Sequence, residues 1–373
     1  MSNISIPYEL RIGVTGHRNL PEVAAVERAV EALLSHINSV LSEAAASPLG
    51  TAGSPFTLAK QCDRLLLRAA QVVWPRLPVT PSDVPVEQRT PLQWVVVSPL
   101  AKGADRIVAR AVLKQPPASG PPRLQVVTPF AIDDYRRDFV DPADRAEFED
   151  LLKLDPAPTI LPHEYGLELE NGSPAQREEK REVRNEGYLA VGRRVVDACE
   201  ILIVIWNGEP AAGKGGTADI VQYAVQQGRT ILWVNPSDPD QPARQIVGAA
   251  PEMPGSHEGV VQGLLHRPLP QRAKELSPGF HRLAAYNRDP AFESTSFDNA
   301  LSGNREELSR LSTAATLDPA AIAPVVELLL PHYARADQLA IRYQQLYVQA
   351  AVWLQRLSSM NSGWRPNWPQ GFA

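Results

Sequence analysis

The most constraining feature of this 373-residue chain is a continuous apolar run, Ile201–Ile205, that leads into a glycine-rich loop and then a helix. Such a run is typical of a strand buried on both faces of a parallel sheet. Strands that alternate with helices predict an α/β fold: a doubly wound, mostly parallel, Rossmann-like sheet with a helical C-terminal extension. The other predicted strands are residues 10–14, 92–97, 124–127 and 230–234.

The pattern divides the chain into four regions. These are a Rossmann-like domain with insertions (1–240), a proline-rich and helical appendage (241–319), a long helix (320–357) and a disordered tail (358–373). Pro324 and Pro331 are candidate breaks in the long helix, because proline removes a helical hydrogen bond. Helices are also predicted at 21–44, 56–74, 105–113, 131–153, 176–199 and 217–227, with irregular segments at 156–174 and 236–271.

The glycine-rich loop predicts a phosphate-binding site for a nucleotide-like ligand. Glycines beside a helix start let the backbone turn tightly and direct N–H groups at an anion. Lys214 adds a positive charge, Thr217 either caps the helix or contacts a phosphate, and Trp206 either stacks on a base or packs in the core. The alternative is a turn that binds nothing. The candidate ligand-binding residues here are Trp206, Gly213, Lys214, Gly215, Gly216, Thr217 and Asp219.

Part of this loop, residues 208–214, fits the G-x-x-x-x-G-K start of the ATPase phosphate loop. A serine or threonine should follow the lysine to hold Mg²⁺, and Gly215 stands there instead. The pattern therefore favours phosphate binding without ATP hydrolysis.

The loop after the first predicted strand carries Gly16, His17 and Arg18. Gly16 is expected to permit the turn, and the planar guanidinium of Arg18 suits a bidentate contact with a phosphate. The alternative is a tight turn with two solvated cations.

The loop after the second predicted strand carries Ser98, Lys102, Gly103 and Asp105. Ser98 either caps the loop or binds a phosphate. Asp105 falls in the first turn of a helix, where the dipole favours an acid, or it bonds to a ribose or a base edge. Because ligands of doubly wound sheets bind at the carboxyl ends of strands, we expect the three loops to share one site.

Three motifs in order, 13–18 (GVTGHR), 98–106 (SPLAKGADR) and 215–220 (GGTADI), together resemble the SLOG superfamily of Rossmann-like domains. That superfamily includes cytokinin-activating phosphoribohydrolases and the bacterial DNA-processing protein A. The resemblance covers about residues 8–235 and implies a sensor of a nucleotide-derived signal. It departs at Pro99 and Leu100, where the family usually has glycines.

Catalysis is less well supported than binding. The phosphoribohydrolases carry a catalytic glutamate three residues after the threonine of their glycine loop, and Ile220 stands at that position. Asp219 lies one residue earlier, about 100° away around the helix. The alternative function is an N-glycosidase or phosphoribohydrolase acting on a nucleotide, with Asp219 or Asp105 as the catalytic acid.

The segment 333–347 resembles the opening of SLATT domains, membrane-associated helical modules of bacterial conflict and immunity systems. The transmembrane helices of that family do not follow it here, so membrane association is expected only for a longer form. The resemblance implies that ligand binding is passed on through this helix. An apolar stripe predicts either self-association as a homo-oligomer or packing on the core; its members are Ala336, Leu339, Ala340, Tyr343 and Tyr347.

The composition and charge of the chain exclude several classes of ligand and partner. A net charge of −5 argues against a broad electrostatic surface that binds nucleic acid. The seven histidines do not have the spacing typical of metal ligands. Cys62 and Cys199 form no redox or metal motif, so we expect a reduced, cytoplasmic chain. No cofactor and no metal are expected, and a nucleotide is the expected ligand.

Overall fold

The computed structural model describes residues 6–46, 90–116, 120–163, 173–210, 215–248, 263–287 and 294–360. Three sequence-based predictions lie outside these residues: the helix at 56–74, the site residues Gly213 and Lys214, and the tail from residue 361. The described chain forms two compact units, one ending at Asn287 and one beginning at Ser294.

The first unit contains an α/β fold with a doubly wound sheet, as predicted. Among the described residues the sheet has eight strands in the order β4-β3-β2-β1-β5-β6-β7-β8. The first six strands in that order are parallel, and β7 and β8 are antiparallel. The strands are β1 (Tyr8–Gly16), β2 (Leu92–Ser98), β3 (Arg123–Thr128), β4 (Thr159–Ile160), β5 (Ile201–Ile205), β6 (Thr230–Val234), β7 (Arg244–Gly248) and β8 (Leu264–Pro268).

Helices connect these strands at nearly the predicted positions. A 3-10 turn, Arg136–Asp138, follows α3. The helices of this unit, numbered among the described residues, are α1 (Val23–Ala46), α2 (Ala104–Leu113), α3 (Ile132–Tyr135), α4 (Pro142–Leu152), α5 (Pro174–Ala198), α6 (Thr217–Gln226), α7 (Ala273–Leu276) and α8 (Pro278–Asn287).

Helices cover both faces of the sheet, which explains the all-apolar sequence of β5. Ile201, Ile203 and Ile205 belong to the buried cluster that includes α1 and α2. Leu202 and Val204 belong to the cluster on the opposite face, with α5 and α6. A strand buried on both faces has no position for a polar side chain.

Two segments expected to be irregular contribute strands. β4 lies within 156–174, and β7 and β8 both lie within 236–271, so the sheet continues past residue 240. β7 pairs with β6 through Trp233 and Arg244, and Ile246 is buried. Proline is tolerated here because Pro268 ends β8, at the edge of the sheet.

The second unit is helical. It contains α9 (Ser294–Ala314), α10 (Pro319–Pro324), a π-helical segment (Val325–Leu329) and α11 (Leu330–Met360), and α9 packs against α11. The predicted break at Pro324 is therefore present as a change of helix type. Pro331 causes no break, because it lies in the first turn of α11, where a proline needs no N–H partner.

The predicted apolar stripe of the long helix is only partly buried. Leu339 is buried, whereas Ala336 and Ala340 are exposed. In the part of the chain that the structure describes, no helix combines the length and the apolar character needed to cross a membrane.

Candidate functional site

A cleft of about 790 Å³ opens at the carboxyl ends of β1 and β5. The chain runs from β1 toward β2 and β3 on one side of the sheet and from β5 toward β6 on the other. β1 and β5 are neighbours, with Gly16 opposite Ile205, so the cleft lies at the topological switch point. This is where doubly wound sheets bind their ligands.

The loops after β1 and β5 are joined directly across the cleft. The backbone N–H of His17 donates to the carbonyl of Ile205 at 3.0 Å. His17 Nε2 accepts the backbone N–H of Asn207 at 3.2 Å and lies 2.9 Å from that residue's side-chain amide oxygen. His17 and Arg18 both line the cleft, as the sequence predicted for a shared site.

Gly16 sits where three elements meet. A Cβ at this position would lie 2.4 Å from the carbonyl oxygen of Ile205 and 2.6 Å from the Cβ of Ala104. We expect Gly16→Ala to lower the free energy of unfolding by about 3 kcal/mol, because β1 would have to move away from β5 and α2. Urea unfolding followed by tryptophan fluorescence measures this.

Gly228→Ala is the matched control for Gly16→Ala. Gly228 has a φ of 63° but open space around its Cβ position, so only the strain of the left-handed backbone, about 1 kcal/mol, is expected. Equal effects of the two substitutions would contradict the close-packing role of Gly16.

The loop after β2 lines the cleft through Pro99, Ala101 and Asp105, but three of its predicted site residues are engaged within the protein. The Ser98 hydroxyl, fully buried, accepts the N–H of Leu100 at 3.0 Å. Lys102 forms an ion pair with Asp144 at 2.8 Å. Gly103, with a φ of 84°, lies against the carbonyl oxygens of His17 and Arg18. Ser98, Lys102 and Gly103 are not among the residues that line the cleft.

Leu100 adopts a left-handed backbone conformation, which glycine adopts most readily. Its φ is 59°, its side chain is fully buried, and its carbonyl accepts the Arg106 Nε–H at 3.0 Å. Burial of the leucine side chain offsets the strain of the left-handed backbone, which is about 1–2 kcal/mol. A leucine is therefore accommodated at this position.

The two candidate acids have parallel roles in their loops. Asp105 Oδ2 accepts the N–H of Ala101 at 3.2 Å, and Asp219 Oδ2 accepts the N–H of Gly215 at 2.8 Å. Each acid thereby closes the turn that precedes its own helix, α2 or α6. Asp105 lines the cleft, whereas Asp219 is not among the lining residues.

Burial changes the acidity of Asp105. The residue is only 6% exposed, and this desolvation raises the pKa of its carboxyl to about 7, against the lowering effects of the Ala101 N–H and of the Arg18 and Arg106 charges. A carboxyl of this kind exchanges its proton near neutral pH, which is what acid–base chemistry requires.

The N-terminus of α6 faces the cleft through Gly215, Gly216 and Thr217. Gly215 has a φ of 84° and packs against the backbone of Asn185 and Leu189 on α5. A glycine is therefore needed at this position, both for the turn and for the close approach to α5. The N-cap residue is Gly216, so Thr217 is the first helical residue and not the cap. The first N–H groups of a helix have no partner within it and can bind an anion.

Trp206 and Ile220 are core residues at the edge of the cleft. Trp206 is 2% exposed, and its Nε1–H donates to the carbonyl of Glu209 at 2.9 Å. Core packing is thus the interpretation that the structure favours for Trp206. Ile220 packs so tightly on Gly192 that a Cβ there would lie 2.3 Å from Ile220 Cδ1.

The sequence-based site included Arg18 but omitted the three residues with which it forms a cluster, Asp138, Arg184 and Tyr188. Asp138 is buried and contacts both the Arg184 guanidinium and the Tyr188 hydroxyl. Arg184 Nη2 also donates to the Tyr188 hydroxyl at 3.0 Å. Arg18 lies over the Tyr188 ring, 5.0 Å from its centroid, and reaches Asp138 at 4.0 Å.

One signal for part of this cluster was present in the sequence. Arg184 and Tyr188 are four residues apart on a predicted helix and therefore share a face. Asp138 gave no such signal, because it is one of many charged residues in 131–153.

No protein-family model matches this chain, and no curated protein matches it either.

Proposed function

We propose that this protein is a sensor that binds a nucleotide or a nucleotide-derived signal in the cleft between β1 and β5. The observation that carries the proposal is the opening of the α6 N-terminus into the same cleft as Arg18 and Arg184. Helix N–H groups and guanidinium groups are the two protein features best suited to a phosphate. The resemblance to SLOG domains agrees with this and extends the proposal to a bacterial conflict or immunity system.

The charge of the cleft supports an anionic ligand even though the whole chain is acidic. Among the described residues, four basic side chains line it, against the acidic side chains of Asp105 and Glu209 and the buried Asp138 that pairs with Arg184. The basic residues are Arg18, Lys180, Arg181 and Arg184. A local excess of positive charge in a concave site raises the concentration of an anion there.

Equilibrium dialysis against AMP, ADP-ribose, NAD and cyclic dinucleotides tests the proposal. We expect Arg184→Gln to weaken binding of the retained nucleotide about 10–100-fold, because a charge-assisted hydrogen bond to phosphate is lost. Arg194→Gln is the matched control: it removes the same charge from the same helix, but Arg194 is exposed and does not line the cleft.

Two results would contradict the sensor function. One is failure to retain any of these nucleotides. The other is an equal loss of affinity in Arg184→Gln and Arg194→Gln, which would indicate non-specific attraction of anions.

A second candidate function, hydrolysis of the N-glycosidic bond of a nucleotide, is favoured by one observation. Asp105 lines the cleft and has a pKa of about 7, so it is protonated in part at neutral pH and able to donate to a leaving base. The same dialysis separates the two functions. A sensor returns the nucleotide intact, and a hydrolase returns free base and ribose phosphate.

A further inference from the structure

The inner wall of the cleft contains two polar side chains that are almost completely buried. Asp105, at the start of α2, is 6% exposed, and Tyr135, at the end of α3, is 1% exposed. Both nevertheless line the cleft. They come from separate parts of the chain and meet only in the folded protein.

Each of these side chains has a polar atom that the protein leaves unbonded. Asp105 Oδ2 accepts the Ala101 N–H, but within the described ranges no group donates to Asp105 Oδ1. The Tyr135 hydroxyl likewise makes no hydrogen bond to any residue that the structure describes. Polar groups on side chains this deeply buried are nearly always bonded, so two that are open only to the cleft point to a ligand there.

The Tyr135 ring is fixed by its neighbours. It packs edge-on against Phe139 at 5.2 Å and against Phe148 at 5.7 Å between ring centroids. Asp105 is fixed by its bond to Ala101. Both polar groups are therefore held in place before a ligand arrives, which lowers the entropy lost on binding.

Charged and titratable groups from several elements act on the pair. Arg18, after β1, and Arg106, on α2, act on the Asp105 carboxyl. Burial and then the charge of Asp105 raise the pKa of Tyr135, and Arg18, Tyr188 and Asp138 also act on it. The Tyr135 hydroxyl thus lies within the electrostatic influence of the Asp105 carboxyl.

We propose that Asp105 and Tyr135 together bind the two neighbouring hydroxyl groups of the ligand's ribose. This inference rests on the proposed function and specifies its ligand as a ribonucleotide. Asp105 Oδ1 accepts a hydrogen bond from one hydroxyl, and the Tyr135 hydroxyl bonds to the other. An acceptor and a donor in the same cleft suit a vicinal diol, since each sugar hydroxyl both donates and accepts.

The experiment compares AMP with 2′-deoxy-AMP by isothermal titration calorimetry, using wild type, Asp105→Asn and Tyr135→Phe. Wild type is expected to bind AMP about 10–100-fold more tightly than 2′-deoxy-AMP, because a deoxyribose leaves a buried carboxylate unbonded. This preference should fall at least several-fold in Asp105→Asn and in Tyr135→Phe. GMP and 2′-deoxy-GMP serve in the same way if the site accepts guanine.

A pH series sharpens the test. The preference for AMP over its deoxy analogue should increase from about pH 6 to about pH 8 in wild type, as Asp105 loses its proton, and should stay constant in Asp105→Asn. The two nucleotides carry the same phosphate, so the titration of the phosphate cancels in the ratio. Tyr223→Phe is the matched control, since the Tyr223 hydroxyl bonds to Asp197 on the protein surface.

The possible outcomes distinguish failure of the ribose assignment from failure of the proposed sensor function. Binding of neither nucleotide pair would overturn the ribose assignment and, if the dialysis also retains no nucleotide, the sensor function itself. Equal binding of AMP and 2′-deoxy-AMP, or a preference that survives in Asp105→Asn, would overturn the ribose assignment and leave the sensor function standing. A preference for AMP over IMP that disappears in Asp105→Asn would also overturn it, because Asp105 would then contact the base.

Discussion

Replacing Asp138 with alanine is expected to lower the free energy of unfolding by about 3 kcal/mol, because it removes one partner of a buried charge pair. The Asp138 side chain is 2% exposed and holds the Arg184 guanidinium and the Tyr188 hydroxyl. Without it, a positive charge remains in a partly buried position next to Arg18. Urea unfolding followed by tryptophan fluorescence measures the change.

Two further substitutions serve as comparisons for Asp138→Ala. Asp138→Asn keeps an oxygen acceptor and should lose less stability than Asp138→Ala. Asp150→Ala breaks an ion pair with Lys153 that is exposed on both sides, and no measurable change is expected. A loss in Asp138→Ala no larger than in Asp150→Ala would show that the cluster does not stabilise the fold.

The second large effect concerns pH. Burial raises the pKa of Asp105 from 3.8 to about 7, so between these values the folded chain holds a proton that the unfolded chain releases. The stability that depends on this proton is present at low pH and is lost as the pH rises toward 7. Two pH units lie between about pH 5 and the raised pKa, which corresponds to about 3 kcal/mol.

Asp105→Asn removes this titration. The free energy of unfolding of the variant relative to wild type is therefore expected to increase by about 3 kcal/mol from about pH 5 to about pH 8. Urea unfolding of both proteins at the two pH values measures it, and all other titrating groups cancel in the difference. Parallel pH profiles for the two proteins would contradict the buried, protonated state of Asp105.

Most of the sheet was predictable because five of its strands are visible in the sequence as apolar runs. Five apolar runs, the first four of them followed by a helical pattern, became β1, β2, β3, β5 and β6. β4, β7 and β8 were missed. β4 has two residues, and β7 and β8 contain polar side chains within a proline-rich segment. Strands at the edge of a sheet need few apolar residues, so periodicity alone does not reveal them.

Within the site, the loops were predictable but the role of each side chain was not. Gly16, His17, Arg18, Gly215 and Thr217 do line one cleft. Ser98 and Lys102 come from a loop of similar composition, yet Ser98 bonds to its own loop and Lys102 to Asp144. Which polar atoms remain available to a ligand depends on the partners that the folded chain supplies.

The amino-acid sequence by itself determined the alternation of strands and helices, and with it the edge of the sheet where a ligand would bind. This information is local, because a buried strand needs an unbroken apolar run and a tight turn needs glycine. Only the tertiary structure decided that Asp138 would hold Arg184 and that Tyr135 would meet Asp105. These pairs join residues far apart in the chain, and burial, which sets both their energy and their acidity, exists only once the helices have packed on the sheet.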